Sequence, residues 1–372
     1  KLGVDMPTDP DGWATQGQTN PYYCAMVEML DHYVGMLVKY LEKTEDPRNP
    51  GKKLIDNTYI LFTSDNGGME KVPGEIITDN YPLDKGKINA KEGGVRVPFI
   101  ITGPKIKSKQ ESNVMVNGLD FYPTILSMAG VKKPEGKNLD GADLKPLLTG
   151  AVEDSSLVLD QNGKPRTEMV WHYPHFGKNQ STIRAGDFKL IRNYETDSGK
   201  PPALELYRLV DTKDGKSARV DIEEAKNLAA EQPEKAAEMD TRLTEILTEM
   251  KASYPYYNPN HPKGLPNQDM VCKVLSHKRK GNTAIFKYQK NGAEVLRANL
   301  LYTMNGGDKS EEWFRIPAEL TSEGVVTAKL PEGTTHYLIN LIDENNFLRS
   351  YPEVTRIKDG KNYSEQAIAK QP

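Results

Sequence analysis

The sequence predicts an α/β protein built from three consecutive parts. A helical segment followed by two apolar, β-rich runs predicts a layered α/β domain over residues 1–150. Short strands followed by one helix predict a small α+β subdomain over residues 151–260. Short alternating runs separated by turn residues predict an immunoglobulin-like β-sandwich over residues 268–372.

The composition excludes several classes of protein. Of the 372 residues, 37% are apolar and 27% are charged, which is typical of a folded globular chain rather than a disordered one. The formal net charge of −3 gives no reason to expect a nucleic acid or an anionic membrane as partner. The two cysteines, Cys24 and Cys272, have no local pairing pattern, which argues against a zinc site or a disulfide scaffold. No apolar run approaches the roughly 18 residues of a membrane span.

The layered domain begins with a predicted amphipathic helix. Asn20 supplies a cap and Pro21 the first helical position, and the helical pattern ends near Thr44. The apolar residues at helical spacing are Tyr23, Met26, Leu30, Tyr33, Leu37 and Leu41. The runs 58–63 and 97–102 are continuously apolar, so they predict strands that are buried on both faces, as in a parallel sheet.

Further along the chain, the predicted elements become shorter. A long polar loop, 67–94, separates the two apolar runs, and a loop of that length in a compact domain is usually functional. A short helix is predicted over 120–129, and Pro233 begins a longer one. Strands are predicted at 169–171, 182–184, 189–192, 205–209, 284–288, 325–328 and 336–341. Residues 254–267, rich in Pro, Asn and Tyr, predict a linker.

The segment 63–68, Thr-Ser-Asp-Asn-Gly-Gly, follows the first apolar run directly. In open α/β sheets, ligands bind beyond the carboxyl ends of strands. Asp65 and Asn66 offer hard oxygen donors of the kind that calcium or magnesium prefers, and the glycines allow a sharp turn after them. The alternative is that Asp-Asn-Gly is simply a turn, and the segment taken alone favours neither interpretation.

A second motif lies in the long loop. It consists of Asn-Tyr-Pro-Leu at 80–83, then Lys87, then Glu-Gly-Gly-Val-Arg-Val-Pro at 92–98. Lys87 follows Gly86 in a polar context and could place an ammonium group on an anion, although taken alone it is only one of 49 basic residues.

These segments, in this order, resemble the sulfatase family of the alkaline-phosphatase-like superfamily. Further matches follow in the family's order, and the resemblance runs from about residue 20 to about residue 250. The additional segments are 120–125 (DFYPTI), 171–175 (WHYPH), 183–191 (IRAGDFKLI), 205–207 (ELY) and 227–229 (NLA). The resemblance implies that the first part is the C-terminal portion of an alkaline-phosphatase-like layered domain.

The resemblance also implies roles for particular residues. Asp65 and Asn66 match two ligands of the family's metal, which is usually calcium, with magnesium possible. Lys87 matches the lysine that contacts the sulfate group. His172 and His175 are candidates for lining the substrate pocket, and the alternative is that they pack within the subdomain.

The sequence departs from the family in one respect. Sulfatases oxidise a Cys or Ser in a Cys/Ser-x-Pro-x-Arg segment to formylglycine, and neither Cys24 nor Cys272 has those neighbours. We therefore expect no nucleophile in this chain. Calcium takes about 6–8 oxygens, so Asp65 and Asn66 supply only part of a site. Both points suggest that an N-terminal part of the same enzyme supplies the rest.

The expected function is hydrolysis of sulfate esters in a sulfated carbohydrate, and the additional β domain favours a polysaccharide. One alternative is a phosphatase or phosphodiesterase of the same superfamily. Another is a carbohydrate-binding relative without catalytic activity. The resemblance implies a periplasmic or secreted enzyme whose partner is its sulfated carbohydrate substrate.

Overall fold

The computed structural model describes residues 20–70, 78–107, 109–150, 158–160, 162–174, 179–194, 202–213, 216–262, 264–321, 324–355 and 362–370. The chain divides into two compact units, Lys1–Ser253 and Tyr254–Pro372. Helices and sheets occur together, as predicted. The finer division of the first unit at residue 150 stays a prediction.

The first unit contains five helices and eight strands in its described part. The helices are α1 (Pro21–Lys43), α2 (Glu92–Val95), α3 (Phe121–Met128), α4 (Lys145–Thr149) and α5 (Pro233–Glu249). The strands are β1 (Ile60–Thr63), β2 (Phe99–Thr102), β3 (Glu168–Tyr173), β4 (Gln180–Ala185), β5 (Phe188–Asn193), β6 (Leu204–Arg208), β7 (Val210–Lys213) and β8 (Lys216–Arg219). Short 3₁₀ turns lie at Leu54–Asn57 and Gly118–Asp120. All of the predicted strands and helices of this unit are present.

Helix α1 has the predicted ends but an unexpected environment. The side chain of Asn20 accepts hydrogen bonds from the backbone N–H groups of Tyr22 and Tyr23, and Thr44 is the C-cap. The predicted apolar stripe, however, is largely exposed to solvent in this structure. Its exposed members are Met26, Leu30, Tyr33 and Leu37. An apolar stripe of this kind normally packs on a core, but no core covers it in the part of the chain that the structure describes.

The predicted parallel sheet is wrong in the described part of the chain. Strands β1 and β2 pair with each other in the antiparallel direction, with Phe62 opposite Ile100. They are also not buried on both faces, because Phe62 is 37% exposed and Ile100 is 61% exposed. A continuous apolar run predicts two apolar faces but not the direction of the neighbouring strand. The second apolar face is present here and is uncovered.

Strands β3 to β6 form one antiparallel sheet in the order β3-β4-β5-β6. Helix α5 packs on this sheet with an amphipathic face whose buried residues are Ala236, Met239, Leu243 and Leu247. Strands β4 and β5 carry several completely buried residues, and one of them is Lys189. Strands β7 and β8 pair as a separate two-stranded ribbon.

The second unit is built from antiparallel strands. They are β9 (Lys273–Lys280), β10 (Thr283–Gln289), β11 (Val295–Thr303), β12 (Trp313–Leu320), β13 (Val325–Lys329), β14 (His336–Asp343), β15 (Leu348–Tyr351) and β16 (Ile368–Ala369), with 3₁₀ turns at Gln268–Met270 and Tyr363–Gln366. Their order is β15-β14-β11-β12-β13-β10-β9, and β16 also pairs with β14. Phe286 and Val326 share one hydrophobic core with Leu300 and Ile339. The immunoglobulin-like label stays a prediction.

The segment predicted as a linker, 254–267, is attached to the second unit. Tyr257 forms a parallel bridge with Phe347, and its backbone N–H donates to the carbonyl oxygen of Asn346 at 2.9 Å. Proline, asparagine and tyrosine there indicate irregular backbone, which is what the structure has, but irregular backbone need not be free of contacts. None of the helices in the described ranges combines the length and apolar character of a transmembrane span.

Candidate functional site

Asp65 and Asn66 lie in the turn that follows β1, as the sequence predicts. Asp65 is exposed and Asn66 is half-buried. The hydroxyl of Ser64 donates to the carbonyl oxygen of Asn66 at 2.8 Å, which fixes the start of the turn. The two side chains therefore stand at the carboxyl end of a strand, where an exposed carboxylate and an amide oxygen are available to a ligand.

Glycine is required where this turn meets α2. The backbone N–H of Gly67 donates to the carbonyl oxygen of Gly94 at 3.0 Å. A Cβ atom on Gly67 would overlap the carbonyl oxygen of Gly93, so no larger residue fits without moving the backbone. The Asp-Asn-Gly-Gly turn is thus packed directly against the Glu-Gly-Gly segment that the sequence places 25 residues later.

Lys87 is held next to the same turn. Its backbone N–H donates to the carbonyl oxygen of Gly68 at 3.0 Å. Its side chain is exposed, and no ion pair within the described ranges engages its ammonium group. The structure therefore brings the loop of Lys87 together with the turn of Asp65 and Asn66.

Asn80 reinforces this arrangement, and sequence reasoning did not assign it that role. Its side-chain amide donates to the carbonyl oxygen of Gly68 at 3.1 Å and to that of Lys85 at 2.9 Å. One amide group thus joins the turn after β1 to the residues just before Lys87. Its position in the Asn-Tyr-Pro-Leu motif was the only sequence signal for it.

Glu92, near the end of the loop 67–94, forms a buried charge triad with Lys189 and Glu224. The Lys189 ammonium is 2.9 Å from Glu92 Oε1 and 3.0 Å from Glu224 Oε1. Arg96 and Arg184 also lie near Glu92 Oε2, at 3.0 and 3.8 Å. Sequence reasoning missed the triad because its members are far apart along the chain and each, taken singly, is an ordinary charged residue.

The two carboxylates of the triad differ in pKa. Burial opposes the charged form of Glu92, but the charge and hydrogen bond of Lys189, together with Arg184, hold its pKa below the usual value. For Glu224, burial dominates and raises the pKa, and Lys189 offsets this only in part. The surroundings therefore favour the ionised form of Glu92 and oppose that of Glu224.

The predicted pocket histidines are only partly described. His172 Nδ1 lies 2.6 Å from the hydroxyl of Ser181, and its Nε2 lies 2.8 Å from the carbonyl oxygen of Ser253. Because a carbonyl oxygen only accepts, Nε2 carries the proton. Both ring nitrogens thus have partners inside the first unit. His175 lies outside the described residues, and substrate contact by either histidine stays a prediction.

The two cysteines differ in their surroundings. Cys272 is buried in the second unit, where burial raises the pKa of its thiol to about 11 and keeps it protonated at neutral pH. Cys24 is exposed on α1. The sequence around each lacks the proline and arginine of the modification motif.

The donor set fits part of a calcium site. Asp65 and Asn66 are adjacent oxygen donors of the type that calcium binds. Among the described residues, no group of three or more His, Cys, Asp or Glu side chains could hold a metal ion. Since calcium takes about 6–8 oxygens, the remaining ligands of such a site would come from elsewhere.

The close contact at Gly67 gives a testable result. Gly67→Ala should force the turn away from Gly93 and destabilise the first unit by about 1–3 kcal/mol, the usual range for overpacking. Denaturant unfolding monitored by tryptophan fluorescence measures this change. Gly118→Ala is the control, because a Cβ atom there meets nothing within 4 Å. Equal unfolding midpoints for the two variants would contradict the interpretation.

Comparisons with known proteins point to one family. Residues 6–131 match a family model described as sulfatase. Residues 84–253 match one described as N-sulphoglucosamine sulphohydrolase, C-terminal. The first match contains Asp65, Asn66 and Lys87, and the second contains Lys87 and the charge triad.

Individual relatives agree with the family models. A sulfatase from Formosa agariphila is 32% identical over 276 residues, which are 69% of this chain and 45% of the relative. An N-acetylglucosamine-6-O-sulfatase from Bacteroides thetaiotaomicron is 34% identical over 46% of this chain and 27% of that protein. A solved structure from a study of glycosaminoglycan metabolism by Bacteroides thetaiotaomicron is 24% identical, covers 52% of this chain and 40% of its own, and has a TM-score of 0.38. The chain spans less than half the length of these relatives.

Proposed function

Because this chain belongs to the sulfatase family, we propose that it forms part of an enzyme that hydrolyses sulfate esters. The observation that carries the proposal is the contact between two loops. The backbone N–H of Lys87 is bonded to the carbonyl oxygen of Gly68, two residues after Asn66, so the loop that carries this cation lies against the turn that carries two oxygen donors. A tetrahedral dianionic or monoanionic ester group needs this combination of positive charge and metal-binding oxygens.

Lys87 is the proposed sulfate-binding residue. During hydrolysis the sulfuryl group passes from the ester oxygen to a nucleophile, and negative charge remains on the sulfate oxygens throughout. An ammonium group beside them would stabilise that charge, and the Gly68 and Asn80 contacts hold the backbone of its loop against the turn. The leaving alcohol must take a proton from a general acid.

Asp65 and Asn66 are the proposed metal ligands. They would hold calcium, or magnesium in its place, and the ion when bound supplies further positive charge to the sulfate oxygens. The nucleophile of sulfatases is a formylglycine, and neither Cys24 nor Cys272 has the sequence context to become one. We propose that an additional N-terminal segment of the same enzyme supplies the nucleophile, the general acid and the other metal ligands.

Exposed apolar surfaces support that proposal. The stripe of α1, which includes Met26 at 70% exposure, and the outer face of β1 and β2 around Ile100 are uncovered. Soluble proteins rarely leave such surfaces in contact with water. An N-terminal segment that adds strands and helices to the layered domain would cover both.

The proposed substrate is a sulfated carbohydrate. One relative is named as an N-acetylglucosamine-6-O-sulfatase, and the β-rich second unit is a candidate for binding a polymeric substrate. His172 and His175 are retained as proposed substrate contacts, and a periplasmic or secreted location is proposed with them.

The test compares ester types in the complete gene product that contains residues 1–372. Purified enzyme with calcium should hydrolyse an aryl sulfate and release sulfate at least about a hundredfold faster than phosphate from the matching aryl phosphate. Preference for the phosphate ester would instead favour a phosphatase or phosphodiesterase. Absence of both activities, with binding of a sulfated polysaccharide, would favour a carbohydrate-binding relative.

A further inference from the structure

The charge triad is unusual in its degree of burial. The side chain of Lys189 is 0% exposed, and those of Glu92 and Glu224 are 3% and 0% exposed. Removing three charges from water costs free energy that apolar side chains of similar size would not cost. A buried ionic group is therefore weak evidence for stability alone, and its contacts indicate what else it does.

The triad joins three segments that are distant along the chain. Glu92 begins α2, Lys189 lies in β5, and Glu224 lies in the turn after β8. Glu224 Oε2 also accepts the backbone N–H of Glu92. The neighbouring Lys91 donates to the hydroxyl of Tyr207 at 2.9 Å and to the carbonyl oxygen of Glu224 at 3.1 Å. The start of α2 is thereby fixed to the four-stranded sheet.

The fixed start of α2 in turn determines where both functional loops lie. The backbone N–H of Gly93 donates to the carbonyl oxygen of Asp84 at 3.0 Å, which holds the residues that precede Lys87. The carbonyl oxygen of Gly94 accepts the N–H of Gly67 at 3.0 Å, which holds the turn after β1. One short helix therefore contacts the loop of the proposed sulfate-binding residue and the turn of the proposed metal ligands.

We propose that Glu92, Lys189 and Glu224 are positioning residues. They hold the loop of Lys87 in a fixed position relative to the turn of Asp65 and Asn66. They touch neither substrate nor metal and act through α2. The effect of this arrangement on catalysis rests on the proposed function. The effect of the triad on the positions of the two loops does not depend on that function.

The test measures both properties in the complete gene product. Glu224→Gln keeps the shape of the side chain but replaces the carboxyl group that faces Lys189 with an amide. We expect the backbone N–H groups of Gly67, Lys87 and Gly93 to exchange with deuterium at least about tenfold faster, while Leu190 and Leu206 in the sheet are unchanged. We also expect kcat/KM for an aryl sulfate to fall about tenfold, since small displacements of a binding group lower the rate strongly.

Glu231→Gln is the matched control. Glu231 lies in the segment after Glu224 and pairs with Lys226 at 2.8 Å, but that ion pair is exposed, so neither loop exchange nor turnover should change. Lys189→Met removes the central cation. In the folded variant we expect the loop amides to exchange faster still than in Glu224→Gln. Calcium titration of both glutamine variants gives a second readout of the metal-ligand turn.

Two outcomes would overturn the inference. In the first, the loop amides of Glu224→Gln exchange as slowly as in the natural protein. In the second, loop and sheet amides exchange faster by the same factor, which is the result expected if the triad only stabilises the fold. A natural enzyme without sulfatase activity would overturn the proposed function and not this coupling, because amide exchange is measured without turnover. The two proposals can therefore fail separately.

Discussion

Lys87→Ala in the complete gene product is expected to lower kcat/KM for a sulfate ester by about two orders of magnitude or more. That is the usual cost of losing one group that stabilises a developing anion in a preorganised site. The side chain is exposed in a polar loop, so the substitution should leave the unfolding midpoint nearly unchanged. Steady-state kinetics with an aryl sulfate and denaturant unfolding measure the two effects.

A second lysine provides the control for this substitution. Lys226 is also exposed, and among the described residues its ammonium group pairs with Glu231 at the surface. Lys226→Ala should therefore retain natural turnover, because surface pairs contribute little. If Lys87→Ala also retains natural kcat/KM, Lys87 does not belong to the site.

The sequence predicts a feature of the fold well when residues close together in the chain determine that feature. The start of α1 follows from Asn20 and Pro21, whose cap and first-position roles are determined within a few residues. The start of α5 at Pro233 is predicted for the same reason. The pairing of β1 with β2 is not local. Their apolar side chains are equally suited to either strand direction, so the antiparallel register needed the structure.

The same distinction applies to the candidate site. The order of motifs identifies Asp65, Asn66 and Lys87 as candidates, and the structure bonds the backbone of Lys87 to Gly68 in the turn that follows Asn66. The triad could not be predicted, because Lys189 contacts Glu92 across 97 residues of sequence. Nothing near either residue in the sequence marks it for burial. Charged residues are buried only when a tertiary partner compensates them, and a tertiary partner leaves no local pattern.

Residues 1–372 produced on their own are expected to hydrolyse an aryl sulfate no faster than background. Sulfate transfer needs a nucleophile, and the buried thiol of Cys272 stays protonated because its pKa is raised to about 11. Two adjacent oxygen donors should also bind calcium weakly, since affinity follows ligand number and charge. The same residues joined to the proposed N-terminal segment should turn over the substrate, and sulfate release measured on both proteins makes the comparison.

The joined protein should also differ physically, which separates a missing nucleophile from a misfolded fragment. If the N-terminal segment covers the α1 stripe, binding of an apolar dye should be strong for residues 1–372 alone and weak for the joined protein. Calcium should raise the melting temperature of the joined protein more than that of the isolated chain, because only the complete ligand set binds the ion tightly. Turnover by the isolated chain that is abolished in Cys24→Ala or Cys272→Ala would contradict the expectation. It would place the nucleophile within these residues and remove the need for a further segment.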